Sequence, residues 1–185
     1  MYGPRFESAL AFACSQHHGQ RRKGSGAPYV THPLAVASIV GQYGGDEDQA
    51  IAGLLHDVME DCGVTRQQLA DRYGERVAAI VDACTDTTEQ PKPPWRARKE
   101  AHIAKVRKQP AEVKLVISAD KLHNAVCIVR DSRRASVGAD VWERFTADRD
   151  GVLWYYRAMA AALVEGWQHE LVDELRTMVG QLEKS

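Results

Sequence analysis

The chain has 185 residues, of which 44% are hydrophobic and 26% are charged. These values are typical of a folded globular protein, and the length suits one domain, residues 1–185, that buries a full core without disulfides. The 24 basic and 25 acidic residues give a net charge of −1, which argues against non-specific nucleic-acid binding as the main function.

The first two predicted helices flank a glycine-rich break. The apolar spacing predicts a helix up to about residue 18, on a face made of Phe6, Ala9, Leu10 and Ala13. After the break over 19–27, the chain reads as an extended segment that meets a second helix. Proline suits the first helical position, so Pro33 begins this helix and His32 lies at its mouth. The second helix then runs over 34–43.

Two capping patterns mark the next helices. Asp46 with Gln49 resembles a capping box that begins a third helix. The apolar face of that helix comprises Ile51, Leu54, Leu55 and Val58. Thr65 with Gln68 caps a short fourth helix that ends near Gly74, and a fifth helix follows over 75–84.

The second half of the chain is also helical. A proline-rich loop over 85–94 precedes a strongly basic helix over 95–108. A long helix over 111–132 follows Pro110, and two or three further helices fill 140–182. No segment has a strong strand pattern. The sequence therefore predicts an all-α helical bundle.

Nothing in the sequence indicates export or a membrane. The N-terminal residues include Arg5 and Glu7, unlike a signal peptide. No apolar run approaches the roughly 20 residues that span a bilayer. The cysteines lack the C-x-x-C spacing of zinc or redox sites; they are Cys14, Cys62, Cys84 and Cys127. We expect buried free thiols in a cytoplasmic protein that does not bind membranes.

An acidic cluster with one histidine follows the apolar run of the third helix. Its members are His56, Asp57, Glu60 and Asp61. Spacings of three and four residues would place these side chains together on one helix face. Clustered carboxylates repel one another unless a cation lies among them, although a solvated acidic face remains the alternative.

Asp120 lies in the middle of the long helix, after an apolar run. Considered alone, it could equally form a salt bridge with Lys121 or Lys114. Together with three earlier residues it completes a candidate metal-ligand set: His32, His56, Asp57 and Asp120. Imidazole and carboxylate ligands without thiolate suit Mn²⁺, Fe²⁺ or Zn²⁺ more than Ca²⁺. A metal held by such residues activates water and polarises a phosphorus centre.

The basic loop at Arg21, Arg22 and Lys23 could bind phosphate or stack on a base. Such runs are common, so in isolation a solvated loop is the better interpretation. The basic helix over 95–108 offers an alternative counter-charge for a polyphosphate.

The other histidines have simpler interpretations. His17 and His18 end the first helix, where a positive charge is favoured. His102 and His169 are expected on polar faces. His123 is a candidate for supporting a metal ligand.

Several motifs together resemble the hydrolase domain of the RelA/SpoT alarmone enzymes. In order, they are His17-x-Gly19-Gln20, Arg22-Lys23, Pro28-Tyr29-x-x-His32-Pro33, Leu54-Leu55-His56-Asp57-x-x-Glu60-Asp61 and Ala119-Asp120-Lys121-Leu122-His123-Asn124. Order and spacing are kept over residues 9–130. The chain is too short for the synthetase domain of the long enzymes, so it resembles a stand-alone small alarmone hydrolase.

This resemblance implies an all-α fold, a Mn²⁺ ion and removal of the 3′-pyrophosphate from (p)ppGpp. It assigns the metal to His32, His56, Asp57 and Asp120. It assigns catalysis to Glu60 and Asp61, and nucleotide binding to Arg22, Lys23, Asn124 and Tyr155.

The chain departs from the family pattern at three places. Cys62 stands where the family usually has threonine, the glycine loop after Lys23 is longer, and the loop over 85–94 is rich in proline. These differences leave the preferred nucleotide open. Two alternatives follow: an HD-type phosphatase for another nucleotide, such as NADPH or a nucleoside monophosphate, and a non-catalytic nucleotide-binding regulator. The oligomeric state is also open.

Overall fold

The computed structural model describes residues 2–89 and 91–185, and over these residues it is built from helices. Ten α-helices follow one another as α1 (Pro4–Gln16), α2 (Thr31–Gln42), α3 (Glu47–Leu55), α4 (Val58–Cys62), α5 (Arg66–Tyr73), α6 (Glu75–Cys84), α7 (Trp95–Arg107), α8 (Ala111–Ser132), α9 (Arg149–Val164) and α10 (Glu170–Leu182). A 3₁₀ helix spans Gly138–Arg144. The predicted all-α class is confirmed.

The predicted caps form as side-chain hydrogen bonds. The Asp46 carboxylate accepts from the Gln49 backbone N–H at 3.0 Å, and the Gln49 side chain accepts from the Asp46 backbone. Thr65 and Gln68 form the same reciprocal pair at the start of α5. Each box satisfies N–H groups that a helix start leaves unpaired, so these boundaries are set locally.

Helix α3 lies at the centre of the bundle and packs against α1, α2, α6 and α8. Every side chain from Ala50 to Leu55 is buried. Gly53 allows α2 to approach closely, since a Cβ there would lie 3.2 Å from the Ala37 Cα. This crossing holds the start of α2 beside the end of α3.

Helix α8 is the longest element and is buried over most of its length. It packs against α2, α3, α6 and α10, so its middle faces the junction of α2 and α3. Near its start, the buried Lys114 ammonium donates a hydrogen bond to the Glu165 carbonyl after α9. Burial lowers the pKa of this lysine. The contact ties α8 to the C-terminal helices.

Two details of the predicted helices are wrong. The third helix does not continue through the acidic cluster: α3 ends at Leu55, and a turn at His56 and Asp57 precedes the short α4. Asp57, with φ −101° and ψ −7°, is the N-cap residue of α4. Likewise, Val30 is helical in its backbone angles rather than extended, and α2 already begins at Thr31.

The environments of several side chains also differ from expectation. Cys14 is exposed and the other three cysteines are partly buried, although all four are free. His102 is buried rather than on a polar face, and His17 is buried as well. Burial beside the ammonium groups of Lys121 and Lys99 lowers the pKa of His102 to about 3. None of the described helices is long and apolar enough to cross a membrane.

We expect Leu54→Ala to lower the free energy of unfolding by about 2–5 kcal/mol, because Leu54 is fully buried in the central helix and truncation leaves a cavity. Urea denaturation followed by circular dichroism measures the change. The matched control is Leu34→Ala, which truncates a leucine that is 40% exposed. Equal stability of the two variants would contradict the central role of α3.

Candidate metal site and its cavity

Two histidines and two carboxylates converge where α2, α3 and α8 meet. His32 comes from the first turn of α2, His56 and Asp57 from the turn after α3, and Asp120 from the middle of α8. His56 Nε2 lies 2.9 Å from Asp57 Oδ2, and His32 Nε2 lies 3.1 Å from Asp120 Oδ1. The two Nε2 atoms are 3.2 Å apart.

The hydrogen bonds made by the Nδ1 atoms of His32 and His56 determine whether their Nε2 atoms, which face each other, can accept or donate. His56 Nδ1 lies 2.9 Å from the Gly53 carbonyl, which can only accept, so this nitrogen carries a proton. His32 Nδ1 lies 2.7 Å from His123 Nδ1 and can donate to it. With their protons on Nδ1, both Nε2 atoms can present lone pairs to a divalent cation; without one, the two carboxylates favour a proton on His56 and raise its pKa well above the usual value.

Such a set of facing acceptors fits a divalent cation. Ligand atoms of His32, His56 and Asp57 lie within 4.8 Å of one another. Asp120 Oδ1 lies within 3.6 Å of both histidine Nε2 atoms. Without a metal ion, a proton on His56 must take its place between the ring and the carboxylates, because unpaired acceptors that face one another are costly. The donor chemistry of imidazole and carboxylate matches Mn²⁺, Fe²⁺ or Zn²⁺.

Both carboxylates of the cluster are ionised. Burial raises the pKa of Asp57, but the neighbouring His56 outweighs this effect and holds the pKa below its usual range. Burial also raises the pKa of Asp120, and the Lys121 ammonium with the two histidines lowers it well below the usual range. The cluster therefore offers negative charge to a cation.

Neighbouring side chains orient the two carboxylates. The Tyr29 hydroxyl donates to Asp57 Oδ2 at 2.6 Å. Lys121 Nζ donates to Asp120 Oδ2 at 2.6 Å, and Asn124 Nδ2 donates to Asp120 Oδ1 at the same distance. The salt bridge considered for Asp120 is thus present together with the cluster, on the other carboxylate oxygen.

The acidic pair Glu60 and Asp61 lies on α4, apart from the four clustered side chains. Glu60 Oε1 accepts from Lys92 Nζ at 2.8 Å and lies 3.8 Å from Arg98 NH1. Asp61 Oδ2 accepts from Gln20 Nε2 at 2.8 Å. The expectation that all four residues of the motif share one continuous helix face is wrong, because the turn at 56–57 separates the two pairs.

His17 and Gln20, which belong to the H-x-G-Q motif, form a hydrogen-bonded chain that ends at Asp61. The Gln20 amide nitrogen donates to Asp61. The Gln20 amide oxygen lies 2.6 Å from His17 Nδ1 and can only accept, so His17 donates to it. The buried His17 ring also packs on Tyr29, with centroids 4.9 Å apart. These contacts restrain the side chains of Asp61 and Tyr29. In the sequence, the H-x-G-Q motif is the signal that could have indicated them.

A cavity of about 570 Å³ contains the acidic pair and the predicted nucleotide-binding residues. Arg22, Lys23, Asn124 and Tyr155 all line it. Further cations along its walls are Lys92, Arg98, Lys99, Lys121, Arg130 and Arg144. Within the part of the chain that is described, the buried Tyr155 hydroxyl has no hydrogen-bond partner. The cavity suits an anionic ligand that also has a flat or apolar part.

Comparison with known proteins shows that the chain belongs to the HD domain family and is similar to enzymes named as 3′-pyrophosphohydrolases. Residues 9–153 match the HD domain. The guanosine-3′,5′-bis(diphosphate) 3′-pyrophosphohydrolase of Haemophilus influenzae is 38% identical over 69% of this chain and 19% of the relative. The chain thus spans about a fifth of that long relative. The enzyme named MESH1 from Xenopus tropicalis, which carries the same activity name, is 37% identical over 69% of each chain.

Two solved structures share the architecture. One is a metazoan ortholog of SpoT described as hydrolysing ppGpp, with a TM-score of 0.79 and 26% identity over 98% of this chain and 97% of that one. The other is a Listeria monocytogenes protein, with a TM-score of 0.74 and 32% identity over 83% of this chain and 99% of that one. The likeness covers nearly all of this chain in the first case and 83% of it in the second.

Asp57→Ala should abolish stoichiometric divalent-metal binding while the helical content is retained, since one of four converging ligands is lost. Elemental analysis after loading with Mn²⁺ and dialysis measures the metal. Asp61→Asn lies one turn away and outside the cluster, so it should retain one ion per chain. Full metal occupancy in Asp57→Ala would show that the ligand assignment is wrong.

Proposed function

The chain belongs to the HD domain family, and we propose that it is a metal-dependent hydrolase that removes the 3′-pyrophosphate of guanosine 3′-polyphosphates such as ppGpp. The observation that carries this proposal is the buried cluster of two histidines and two carboxylates beside a cation-lined cavity. The activity names of the similar enzymes support the choice of substrate. The proposal treats residues 1–185 as one hydrolase domain, and the free cysteines favour a cytoplasmic location.

In this proposal His32, His56, Asp57 and Asp120 hold one divalent ion, for which we propose Mn²⁺. When bound, such an ion polarises a phosphoryl oxygen and lowers the pKa of water. Tyr29, Lys121 and Asn124 keep the ligand carboxylates in position through the hydrogen bonds described above. These contacts restrict the rotamers of the ligands before any substrate binds.

Glu60 and Asp61 are the proposed proton-transfer groups. Gln20 engages one oxygen of Asp61, and no other described residue donates a hydrogen bond to either of its oxygens. Asp61 can therefore accept a proton from an attacking water. Hydrolysis also requires a proton on the departing ribose 3′ oxygen, which the second acid can supply. The protons balance whether Glu60 or Asp61 is the base, provided that the other residue is the acid.

The basic loop and the cavity wall form the proposed substrate contacts. Arg22 lies over the Tyr29 ring, 5.8 Å from its centroid, and donates to Asn124 Oδ1 at 2.8 Å. Arg22 and Lys23 are proposed to contact the base, and Asn124 the nucleotide. The unpaired Tyr155 hydroxyl, near Lys99 and Lys121, suits a phosphate oxygen.

A nucleotide panel tests this function directly. Protein loaded with Mn²⁺ is incubated with ppGpp, pppGpp, pGpp, NADPH and simple monophosphates, and the products are identified. We expect GDP and pyrophosphate from ppGpp. Orthophosphate release from NADPH or a monophosphate, without turnover of ppGpp, would favour the other phosphatase. Binding without turnover of any nucleotide would favour a regulator.

Glu60→Gln and Asp61→Asn should each lower kcat for ppGpp at least about 10²-fold, because the isosteric amides cannot accept a proton. Metal content should remain near one ion per chain. Steady-state kinetics and elemental analysis on the same preparations separate the two effects. Near-full kcat in both variants with metal bound would mean that the acidic pair takes no part in catalysis.

Arg22→Ala should raise KM for ppGpp about tenfold or more with a smaller effect on kcat, because a charged contact made equally in the ground and transition states appears in KM. The control is Arg133→Ala, which removes an exposed guanidinium bound to Gln181 outside the cavity. If KM is the same in both variants, the basic loop does not bind substrate.

A further inference from the structure

One face of α8 joins the candidate metal cluster to the far end of the cavity. Asp120, Asn124, Cys127 and Asp131 recur at intervals of three and four residues, so they lie along one side of the helix. At 1.5 Å per residue, Asp131 is about 16 Å along the axis from Asp120. The last three of these residues line the cavity. Asp131 is therefore the second carboxylate on this face of α8, and it lies at the end of the face away from Asp120.

Asp131 is a buried carboxylate whose Oδ1 atom is available to accept a hydrogen bond. The residue is 4% exposed, and its Oδ2 accepts a hydrogen bond from Arg144 NH1 at 2.8 Å. Its Oδ1 accepts no hydrogen bond from the described residues, although Arg134 NH1 lies 3.3 Å away and Arg130 Nε 3.5 Å away. Burial raises the pKa of Asp131, but Arg144 and the adjacent arginines lower it below its usual range. The group is thus an ionised acceptor.

The walls beside Asp131 suit a nucleobase better than a phosphate. The cavity is lined by Ile128, about one turn before Asp131 on α8, by Val141 on the 3₁₀ helix that packs against α8, and by Phe145, which is 37% exposed. An exposed phenyl ring offers a stacking surface. At this end the Asp131 carboxylate offsets part of the positive charge of Arg130 and Arg144, whereas Lys92, Lys99 and Lys121 add cations to the cavity near α7 and Tyr155. The cavity therefore separates a polyphosphate end from a base end.

We propose that Asp131 determines base specificity by accepting a hydrogen bond from the 2-amino group of guanine, while Arg144 donates to O6, on the other side of N1. This inference rests on the proposed hydrolysis of a guanosine polyphosphate and assigns the residue that selects its base. Guanine presents N–H donors at N1 and N2 beside the O6 acceptor. Adenine has no 2-amino group and places a lone pair at N1, which would face the carboxylate. An ionised acceptor beside a guanidinium matches the first pattern only.

A purely structural role for the same pair makes a different prediction. Arg144 belongs to the 3₁₀ helix over Gly138–Arg144, so its bond to Asp131 also ties this segment to α8. Loss of that tie would lower stability and would change the hydrolysis of every nucleotide by a similar factor. It would not change the ratio between two substrates that differ by one amino group.

The test compares guanosine and inosine 3′,5′-bis(diphosphate), which differ only in the 2-amino group. We expect wild-type kcat/KM to favour the guanosine compound at least about tenfold, the range of one specific base contact. In Asp131→Asn this ratio should fall toward one. The control Asp150→Asn, which neutralises an acid with a side chain 91% exposed, should keep the wild-type ratio.

Three outcomes would overturn the proposal. A wild-type kcat/KM ratio near one would mean that the enzyme does not recognise the 2-amino group. This measurement does not depend on whether Asp131→Asn folds. An unchanged ratio in folded Asp131→Asn would assign the discrimination to other residues. If the wild type hydrolyses neither compound, the proposed function itself fails, and base selection by Asp131 falls with it.

Discussion

The rest of the structure depends on four ionisable groups that face one another, three of them buried: His32, His56 and Asp120, with the partly buried Asp57. Two imidazole nitrogens and two carboxylate oxygens approach within 3.6 Å at the junction of three helices. Such a cluster is unfavourable unless a cation joins it and the surrounding structure prevents the groups from separating. The close crossing at Gly53 and the hydrogen bonds of Tyr29, Lys121 and Asn124 supply that restraint.

The turn at His56 and Asp57 resolves a geometric conflict within the motif. Adjacent side chains on a continuous helix diverge by roughly 100° and could not easily reach one point. Ending α3 at Leu55 lets both side chains approach the same centre. The break also redirects the following residues, so that Glu60 and Asp61 line the cavity instead of crowding the cluster. The turn thus separates the four clustered residues from the acidic pair that the proposed function uses for proton transfer.

The cavity carries a graded chemistry that matches a nucleotide with several phosphates. Acidic groups lie beside the cluster, cations follow along α7, and the far end has apolar walls with Asp131 and its neighbours Arg130 and Arg144. Helix α8 connects these regions, because residues spaced by whole turns present their side chains in a row. Its rigidity sets the distance between the reacting phosphoryl group and the base in the proposed function.

The helices and their caps could be predicted from the sequence, because apolar periodicity and capping boxes are local signals. The resemblance of ordered motifs also led to the four clustered residues, although sequence alone could not show how they meet. Only the tertiary structure revealed the break after Leu55, the hydrogen bond from Gln20 to Asp61, and the placement of Asp131 in the cavity. Periodicity reports which face of a helix is buried; which distant faces meet depends on packing among all the helices.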